Sequence, residues 1–291
     1  MRTKDRAHRA LLSRLTDARA RIRAERNLIG WRRDQRTPLA VDLDLDRLPV
    51  IFCTWRRLGR LRHTLAQLAA QDIPVQVLIW NNSPDRASVD AVATTAGIPV
   101  TVHHSPRNIG GFGRFYLARE AAEAGHRSVV FIDDDQNFGP ETVRDLLSGY
   151  RPHSLSGWWA FRFTGAAYGD RVRSAPGDDA SYVGTGGMVA DAAVFGDSRL
   201  FECPRRFWFA EDLWLSYVAA HLCGFDLYRS PAQFEAVQDG HALYLSLGRT
   251  KWKLQRYLIR RGWTPVRDGT GRAGDDRGSC GELAAPDPDP R

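Results

Sequence analysis

A short apolar segment that leads directly into three adjacent carboxylates constrains this chain most. Residues 129–132 are apolar and of strand type, and Asp133, Asp134 and Asp135 follow at once. A buried strand delivers the residues that follow it to the edge of a sheet. Because three neighbouring anions repel one another in a low-dielectric site, we expect a positive group beside them. A divalent hard cation, Mg²⁺ or Mn²⁺, prefers such oxygen ligands, and an extended chain would place Asp133 and Asp135 on the same side.

Strand-type and helix-type segments alternate up to these carboxylates. The pattern predicts strands at 49–54, 75–80, 98–102 and 128–132, and helices at 58–70, 87–96 and 110–124. Such alternation with short connections predicts an α/β fold with a Rossmann-type, mostly parallel sheet and helices on both faces. Ligands of these sheets bind beyond the C-terminal ends of the strands. Thr54, Asn81 and the three aspartates fall there, which lowers the weight of the alternative interpretation, a solvated acidic turn.

A glycine-rich loop after the third predicted strand is a second candidate for a ligand site. Residues 107–114 run Arg-Asn-Ile-Gly-Gly-Phe-Gly-Arg and open a helix. Glycines let backbone N–H groups approach an anion, and the start of a helix adds a favourable partial charge. Arg107 and Arg114 are candidates to pair with phosphate. The spacing differs from Walker and dinucleotide motifs, and a glycine-rich helix start made for tight packing stays open as the alternative.

Positive charge is concentrated at one end of the chain. Of a formal net charge of +7, much arises from eleven arginines within residues 1–36. An apolar seam runs along one face of this segment, so residues 1–40 are predicted to form a basic amphipathic helical extension. Packing on its own domain, contact with an anionic membrane surface and contact with a second copy through residues 1–36 all stay open. Residues 268–291 are rich in Gly, Asp and Pro and are predicted to be a disordered tail.

The composition is typical of a globular protein, with a hydrophobic fraction of 43% and a charged fraction of 26%. No apolar run approaches the ~20 residues that cross a bilayer. The N-terminus lacks the pattern of a secretory signal, and the four cysteines show no zinc-type spacing. We therefore expect a cytoplasmic protein with reduced thiols, and membrane association stays open.

Several short motifs follow one another in order: CTWRR at 53–57, WNNS at 80–83, NIGG at 108–111, DDD at 133–135, GTGGMV at 184–189, FWFAEDLWL at 207–215 and DGH at 239–241. In this order they resemble the family-2 glycosyltransferases with a GT-A fold, over about residues 48–250. Rhamnosyl- and galactofuranosyl-transferases look like the most similar type within that family. The resemblance implies a GT-A domain over 41–267, with a nucleotide-sugar half at 48–150 and an acceptor half at 151–250.

The resemblance also implies an activity, namely metal-dependent, inverting transfer of a sugar from a nucleotide-diphosphate donor to an acceptor hydroxyl. The donor would be a UDP- or dTDP-sugar, and the acceptor a carbohydrate, a lipid-linked molecule or a small molecule. No nucleic acid partner is expected. The residues around the donor nucleotide would be Thr54, Arg57, Asn81, Asn108, Gly111, Arg114, Asp133 and Asp134.

The metal and the base follow from the same resemblance. Mn²⁺ or Mg²⁺ would be held by Asp133, Asp135 and His241, and the metal would stabilise charge on the leaving phosphates. Asp212 is the predicted general base, because the start of a helix keeps a carboxylate ionised. Glu211 is the alternative base, and a Glu-Asp pair that merely caps the helix is the structural alternative. The aromatic run at 207–209 is expected to form a wall on which a sugar stacks.

Two functions of other classes stay open. A nucleotidyltransferase that makes an activated sugar would share the sheet and the metal, but the segment after the first strand, 54–60, lacks the lysine expected there. A non-catalytic basic module would bind nucleic acid or a partner through residues 1–36, in a salt-sensitive manner. That module would leave the acidic cluster without a purpose.

Overall fold

The computed structural model describes residues 39, 41, 43–237 and 247–265. The predicted basic extension, His241 and the predicted C-terminal tail therefore lie outside the described residues. Among the residues that are described, none belongs to a helix long and apolar enough to span a bilayer.

The first half of the described chain alternates strands with helices, as the sequence predicts. The strands are β1 (Leu48–Thr54), β2 (Val75–Asn81), β3 (Val100–His104) and β4 (Ser128–Phe131), and the helices are α1 (Leu58–Ala69), α2 (Arg86–Thr94) and α3 (Arg114–Glu123). The predicted helix at 110–124 begins differently, because Gly110–Gly113 form a 3-10 turn and the α-helix begins at Arg114.

The second half contributes shorter elements. The strands are β5 (Gln136–Asn137), β6 (Ser154–Gly157), β7 (Ala160–Phe163), β8 (Arg171–Arg173), β9 (Tyr182–Val183), β10 (Met188–Asp191), β11 (Asp226–Arg229) and β12 (Glu235–Ala236), and the helices are α4 (Thr142–Ser148), α5 (Glu211–Tyr217) and α6 (Gly248–Ile259). A π-helical turn, Val218–Leu222, extends α5.

Within the described residues the central sheet has seven strands in the order β11-β6-β10-β4-β1-β2-β3. β1 pairs in parallel with β2 and β4, β2 with β3, and β6 with β11, whereas β10 runs antiparallel to its neighbours β4 and β6. The predicted α/β class and the mostly parallel sheet are therefore confirmed. Since β2 lies on one side of β1 and β4 on the other, the chain reverses its direction of winding between β1 and β4. A crevice is expected beyond the C-terminal ends of those two strands.

Helices cover both faces of the sheet, because successive side chains of a strand point to opposite faces. On one face the strands and helices α1 and α2 share a cluster of buried apolar residues: Val50, Phe52, Val77, Ile79, Val130, Ile132, Leu61, Leu65, Leu68, Val89 and Val92. On the other face Trp80 contacts Tyr116 of α3, with 5.6 Å between ring centroids, and Phe131 contacts Phe115 at 6.2 Å. The two-sided helix packing predicted from the sequence is confirmed.

Candidate functional site

The loops after β1 and β4 meet beyond the C-terminal ends of these strands. The hydroxyl of Thr54, the last residue of β1, donates to Oδ2 of Asp134 at 3.2 Å. Arg57 stands immediately before α1, and its Nη1 donates to Oδ1 of Asp134 and to Oδ2 of Asp135, both at 3.1 Å. The carboxylates predicted at a sheet edge therefore lie beyond the ends of β1 and β4, and an arginine supplies positive charge beside them.

Asp134 lies inside this cluster. Its carboxyl is buried, and burial raises its pKa to about 7, against the opposing effect of Arg57 and with the support of Asp135 and Asp133. Both of its carboxylate oxygens accept hydrogen bonds from the protein. Asp134 is thus positioned to tie the β1 loop to the β4 loop.

The prediction of an extended chain through the three aspartates is wrong. The backbone turns at Asp134 and Asp135, and one guanidinium holds these two carboxylates together. Asp133 pairs instead with Arg114 of α3, whose Nη2 donates to its Oδ1 at 2.8 Å. The physical reason is that two arginines from different elements divide the three negative charges between them.

Arg114 joins the glycine-rich loop to the aspartates. Its side chain is 5% exposed, and it also donates to the carbonyl oxygens of Gly111, at 3.2 Å, and Ile132, at 3.4 Å. Burial by itself would lower the pKa of Arg114, but the charge of Asp133 raises it above the usual range. The guanidinium predicted to bind phosphate is therefore engaged by the protein, next to the predicted metal ligands.

The glycines of this loop make room for the second half of the chain. Gly110 has a φ of +68°, and a Cβ there would lie 2.8 Å from the ring of Phe209. A Cβ on Gly111 would lie 1.9 Å from Oε1 of Glu211. Asn108 accepts a hydrogen bond from the N–H of Gly110 at 2.8 Å and so shapes the same turn. The tight-packing interpretation of the loop therefore accounts for these glycines.

Asn81, predicted beside the nucleotide, lies in the turn after β2. Its side chain is fully buried. The amide oxygen accepts from the N–H of Ser83 at 2.7 Å, and the amide nitrogen lies 2.8 Å from Nδ1 of His104. In this conformation the amide shapes the loop, and a bound ligand would not reach it.

Helix α5 begins with two neighbouring carboxylates, Glu211 and Asp212. Glu211 is buried against the glycine-rich loop, and its Oε1 lies 3.5 Å from the hydroxyl of Thr185. Burial raises the pKa of Glu211 to about 7, Asp212 adds to the effect, and Arg114 opposes it. The protonated form of Glu211 is thus favoured relative to that of an exposed glutamate.

Asp212 is bound by residues of two other elements. Its Oδ2 accepts from Nζ of Lys251, on α6, at 2.5 Å and from the hydroxyl of Tyr182, on β9. Its Oδ1 accepts from the N–H of Leu213 at 2.8 Å. Burial would lower the pKa of Lys251, but the Asp212 carboxylate outweighs it and raises that pKa. The predicted base therefore belongs to a buried ion pair with Lys251.

The expectation of a three-ring aromatic wall is wrong for two of its residues. Phe207 and Trp208 are buried, and Trp208 stacks on Phe112 with 5.9 Å between ring centroids. Trp208 thus helps to join the second half of the chain to the glycine-rich loop, whereas Phe207 contacts Tyr257 of α6. Phe209 is 37% exposed, and it is the ring of the three that remains available to a ligand.

Two of the aspartates fit a hard cation. The side chains of Asp133 and Asp135 are 35% and 25% exposed. A Cβ on Gly186 would lie 2.4 Å from Oδ2 of Asp133, so the glycine leaves space beside that oxygen. Mg²⁺ is usually held by one or two carboxylates together with substrate phosphates. The described residues contain no cluster of three or more His, Cys, Asp or Glu suited to a metal, and the predicted third ligand, His241, is outside them.

Sequence reasoning missed several residues of the site. Arg60 donates to the carbonyl oxygens of Asp134, at 3.1 Å, and Gln136, at 2.8 Å. It lies one helical turn beyond Arg57, a spacing that could have revealed it. No local pattern marks Tyr182 or Lys251, because their contacts with Asp212 span 30 and 39 residues of sequence.

No protein-family model matches the chain, and no curated protein matches it. Among the similar solved structures is S. aureus TarS, with a TM-score of 0.47 and 17% identity over 73% of this chain and 39% of that chain. S. aureus TarS 1–349 in complex with UDP has a TM-score of 0.48 and 18% identity over 72% of this chain and 65% of that chain. Glucosyl-3-phosphoglycerate synthase from Mycobacterium tuberculosis, in complex with Mn²⁺, UDP and glucosyl-3-phosphoglycerate, has a TM-score of 0.49 and 15% identity over 80% of this chain and 88% of that chain. The chain spans less than two thirds of the length of both TarS structures. Each of these TM-scores lies below 0.5.

Proposed function

We propose that this chain is an inverting glycosyltransferase that moves a sugar from a nucleotide-diphosphate donor to an acceptor hydroxyl. The observation that carries the proposal is the cluster of charged side chains at the C-terminal ends of β1 and β4. Asp133, Asp134 and Asp135 converge there with Arg57 and Arg114 at the point where the sheet reverses its winding. Ligands of open α/β sheets bind at that point, and a diphosphate needs both cations and positioned donors.

The donor is proposed to bind over the β1 and β4 loops. Mg²⁺ or Mn²⁺ would be held by Asp133 and Asp135, with His241 as a third ligand, and when bound it would neutralise charge on the leaving diphosphate. Arg57 bridges Asp134 and Asp135, so it would lie at the edge of the same phosphates. Uridine or deoxythymidine diphosphate sugars are the proposed donors.

Asp212 is the proposed general base. The acceptor oxygen forms a bond to the anomeric carbon while the bond from that carbon to the phosphate oxygen breaks. The proton of the acceptor hydroxyl passes to Asp212, and the nucleoside diphosphate leaves with the bonding electrons. A single displacement of this kind inverts the anomeric configuration and needs no covalent enzyme intermediate.

Glu211 is the second candidate for the base. A pKa of about 7 matches a base that works near neutral pH. Its carboxylate, however, is packed against Gly111 and beside Thr185. Asp212 is preferred because Lys251 and Tyr182 hold its Oδ2 in place, while its Oδ1 accepts one hydrogen bond among the described residues.

The acceptor is proposed to be a carbohydrate, a lipid-linked molecule or a small molecule with a free hydroxyl. Phe209 is the exposed ring nearest in sequence to the carboxylates of α5, and it is proposed to contact the sugar. Residues 1–36 are proposed to hold the enzyme on an anionic membrane surface or on a second copy.

The test is a screen of nucleoside diphosphates and nucleotide sugars by thermal unfolding, with Mn²⁺, Mg²⁺ or EDTA present. A ligand that binds the folded state raises the melting temperature. At a hundredfold excess over Kd, it increases the free energy of unfolding by about 2.7 kcal/mol. The expected result is a metal-dependent rise with one nucleotide class, followed by sugar transfer to an acceptor hydroxyl with inversion. A nucleotide sugar formed from a sugar phosphate and a nucleoside triphosphate would instead identify a nucleotidyltransferase.

A further inference from the structure

Helix α6 reaches back to the start of α5 and carries Lys251 to the proposed base. Leu254 and Leu258 of α6 are fully buried, and they lie on the same helix face as Lys251. Packing of this apolar face fixes the height and rotation of the helix, so it also fixes where the ammonium group lies. Nζ of Lys251 is 2.5 Å from Oδ2 of Asp212 and 2.8 Å from the hydroxyl of Tyr182.

The hydrogen bonds divide unequally between the two oxygens of Asp212. A carboxylate oxygen has two lone pairs. Those of Oδ2 are both engaged, one by Lys251 and one by the hydroxyl of Tyr182. Among the described residues, Oδ1 accepts one hydrogen bond, from the N–H of Leu213. The remaining lone pair of the carboxylate therefore belongs to Oδ1.

We propose that Lys251 and Tyr182 are positioning residues for Asp212, which fix its carboxylate through Oδ2 so that Oδ1 takes the proton of the acceptor hydroxyl. The proposal rests on the proposed transferase function and adds two residues to its machinery. Neither needs to touch the substrate. Lys251 supplies charge and Tyr182 supplies direction, because the hydroxyl that accepts from Nζ donates to Asp212.

Among the groups around Asp212, Lys251 is the one expected to affect the charge of its carboxylate most. The charged or titratable side chains that face the carboxylate from the described residues are Lys251 of α6, Tyr182 of β9 and Glu211 of α5, with Tyr168 behind Tyr182. Glu211 disfavours a second negative charge beside it. Of these groups Lys251 is the cation, so its removal should make the Asp212 carboxylate harder to ionise.

Stability alone is a weak reason for this ion pair. The side chains of Asp212 and Lys251 are only 12% and 13% exposed, so both charges give up most of their hydration. Buried ion pairs are often no more stabilising than apolar residues of similar volume. A role in holding one carboxylate oxygen for chemistry accounts for both the charge and the geometry.

The test compares Lys251→Met with two variants. Lys251→Arg keeps the charge, and Lys253→Met removes the same charge from an exposed position on the same helix. In Lys251→Met the acid limb of kcat/KM against pH should move up by about 1 to 3 pH units, as expected when an opposite charge within a few ångströms is lost. kcat should fall by about 10- to 100-fold with little change in KM for the donor, because the base is misplaced.

Lys251→Arg should restore the acid limb, and Lys253→Met should leave it unmoved. Tyr182→Phe keeps the ring and removes the hydroxyl, so it should lower kcat and move the acid limb up by less than Lys251→Met does, because a neutral donor is lost and not a charge. A Lys251→Met enzyme that melts earlier but keeps the acid limb and kcat of the wild type would show a merely structural role and overturn the proposal.

A second readout does not depend on turnover. In protein labelled with ¹³C in the aspartate carboxyls, the Asp212 signal is identified by its absence from Asp212→Asn. Its pH midpoint should rise in Lys251→Met and stay in place in Lys253→Met. If the wild type transfers no sugar, the transferase proposal fails while this midpoint still decides the role of Lys251, and an unchanged midpoint contradicts it.

Discussion

Two places in this molecule set carboxylates side by side, and they neutralise them differently. At the end of β4, Arg57 and Arg114 divide Asp133, Asp134 and Asp135 between them, and two of the three carboxylates keep a quarter or more of their surface exposed. At the start of α5, Lys251 holds Asp212 in a nearly closed ion pair, and Glu211 is buried beside it. Under the proposed function, the first arrangement would exchange a protein cation for a metal or a ligand, whereas the second would keep one charge in one orientation.

The largest expected effect concerns the carboxylates at the start of α5, Glu211 and Asp212. Asp212→Asn should lower transfer by about 10²- to 10⁴-fold, because an amide cannot take the proton of the acceptor. The metal-dependent thermal shift with nucleotide should stay close to that of the wild type. Steady-state transfer and thermal shift on the same preparation measure both. The control is Asp226→Asn, which removes an exposed carboxylate from β11. Near-full transfer by Asp212→Asn would reassign the base to Glu211.

The aspartates after β4, Asp133 to Asp135, should respond to removal of metal and not to the loss of Asp212. Removal of metal with EDTA, or the change Asp135→Ala, should abolish the stabilisation of about 2.7 kcal/mol expected at a hundredfold excess of nucleotide over Kd. Asp212→Asn should not abolish it. Melting curves with and without nucleotide make the comparison. A nucleotide shift that EDTA leaves intact would mean that Arg57 and Arg114 bind the diphosphate without a metal.

The free energy of unfolding should depend on pH through the buried carboxyl of Glu211. Its pKa is raised in the folded state from an ordinary value of 4.5 to about 7, so the folded protein binds more protons than the unfolded chain between those values. The contribution of Glu211 to the free energy of unfolding should therefore be fully present below pH 4.5. It should be lost as the pH rises through 7. The steepest slope is about 1.4 kcal/mol per pH unit. Urea unfolding at several pH values should show this slope in the wild type and less of it in Glu211→Gln.

The smallest expected effect concerns the contact that brings the two clusters together. Gly111→Ala would place a Cβ 1.9 Å from Oε1 of Glu211, so the carboxylate has to move. Overpacking of this kind typically costs about 1–3 kcal/mol. Gly169→Ala is the control, because a Cβ there would meet nothing within 4 Å. Chemical unfolding of both variants measures the difference, and equal stabilities would contradict the described packing.

Local pattern was sufficient for the first half of the fold and for the crevice. Apolar runs predicted β1 to β4 and helical spacing predicted the helices between them, because the central strands are buried on both faces and α1 and α2 bury one face each. The same patterns placed Thr54 and the three aspartates at one edge of the sheet. They failed where the backbone leaves regular structure, as at the turn of Asp134 and Asp135.

Contacts between distant residues could not be predicted in this way. The partners of Asp212 lie 30 and 39 residues away along the chain, and nothing in the residues around Tyr182 or Lys251 marks them. The sugar-stacking wall predicted at 207–209 was wrong for Phe207 and Trp208 because contacts with distant residues also bury these two rings. Trp208 stacks on Phe112, which belongs to the first half of the chain, and Phe207 contacts Tyr257, 50 residues further on in α6.

The glycine-rich loop has a consequence for how such a protein could be inherited or engineered. Gly110 and Gly111 are shaped to receive Phe209 and Glu211, and β10 of the second half pairs directly with β4 of the first. The two halves are therefore matched along a seam, and a chimera that exchanged one half would carry the wrong side chains into it. New donor or acceptor preferences should be sought in changes that leave the seam intact, since substitutions across it would have to be made in pairs.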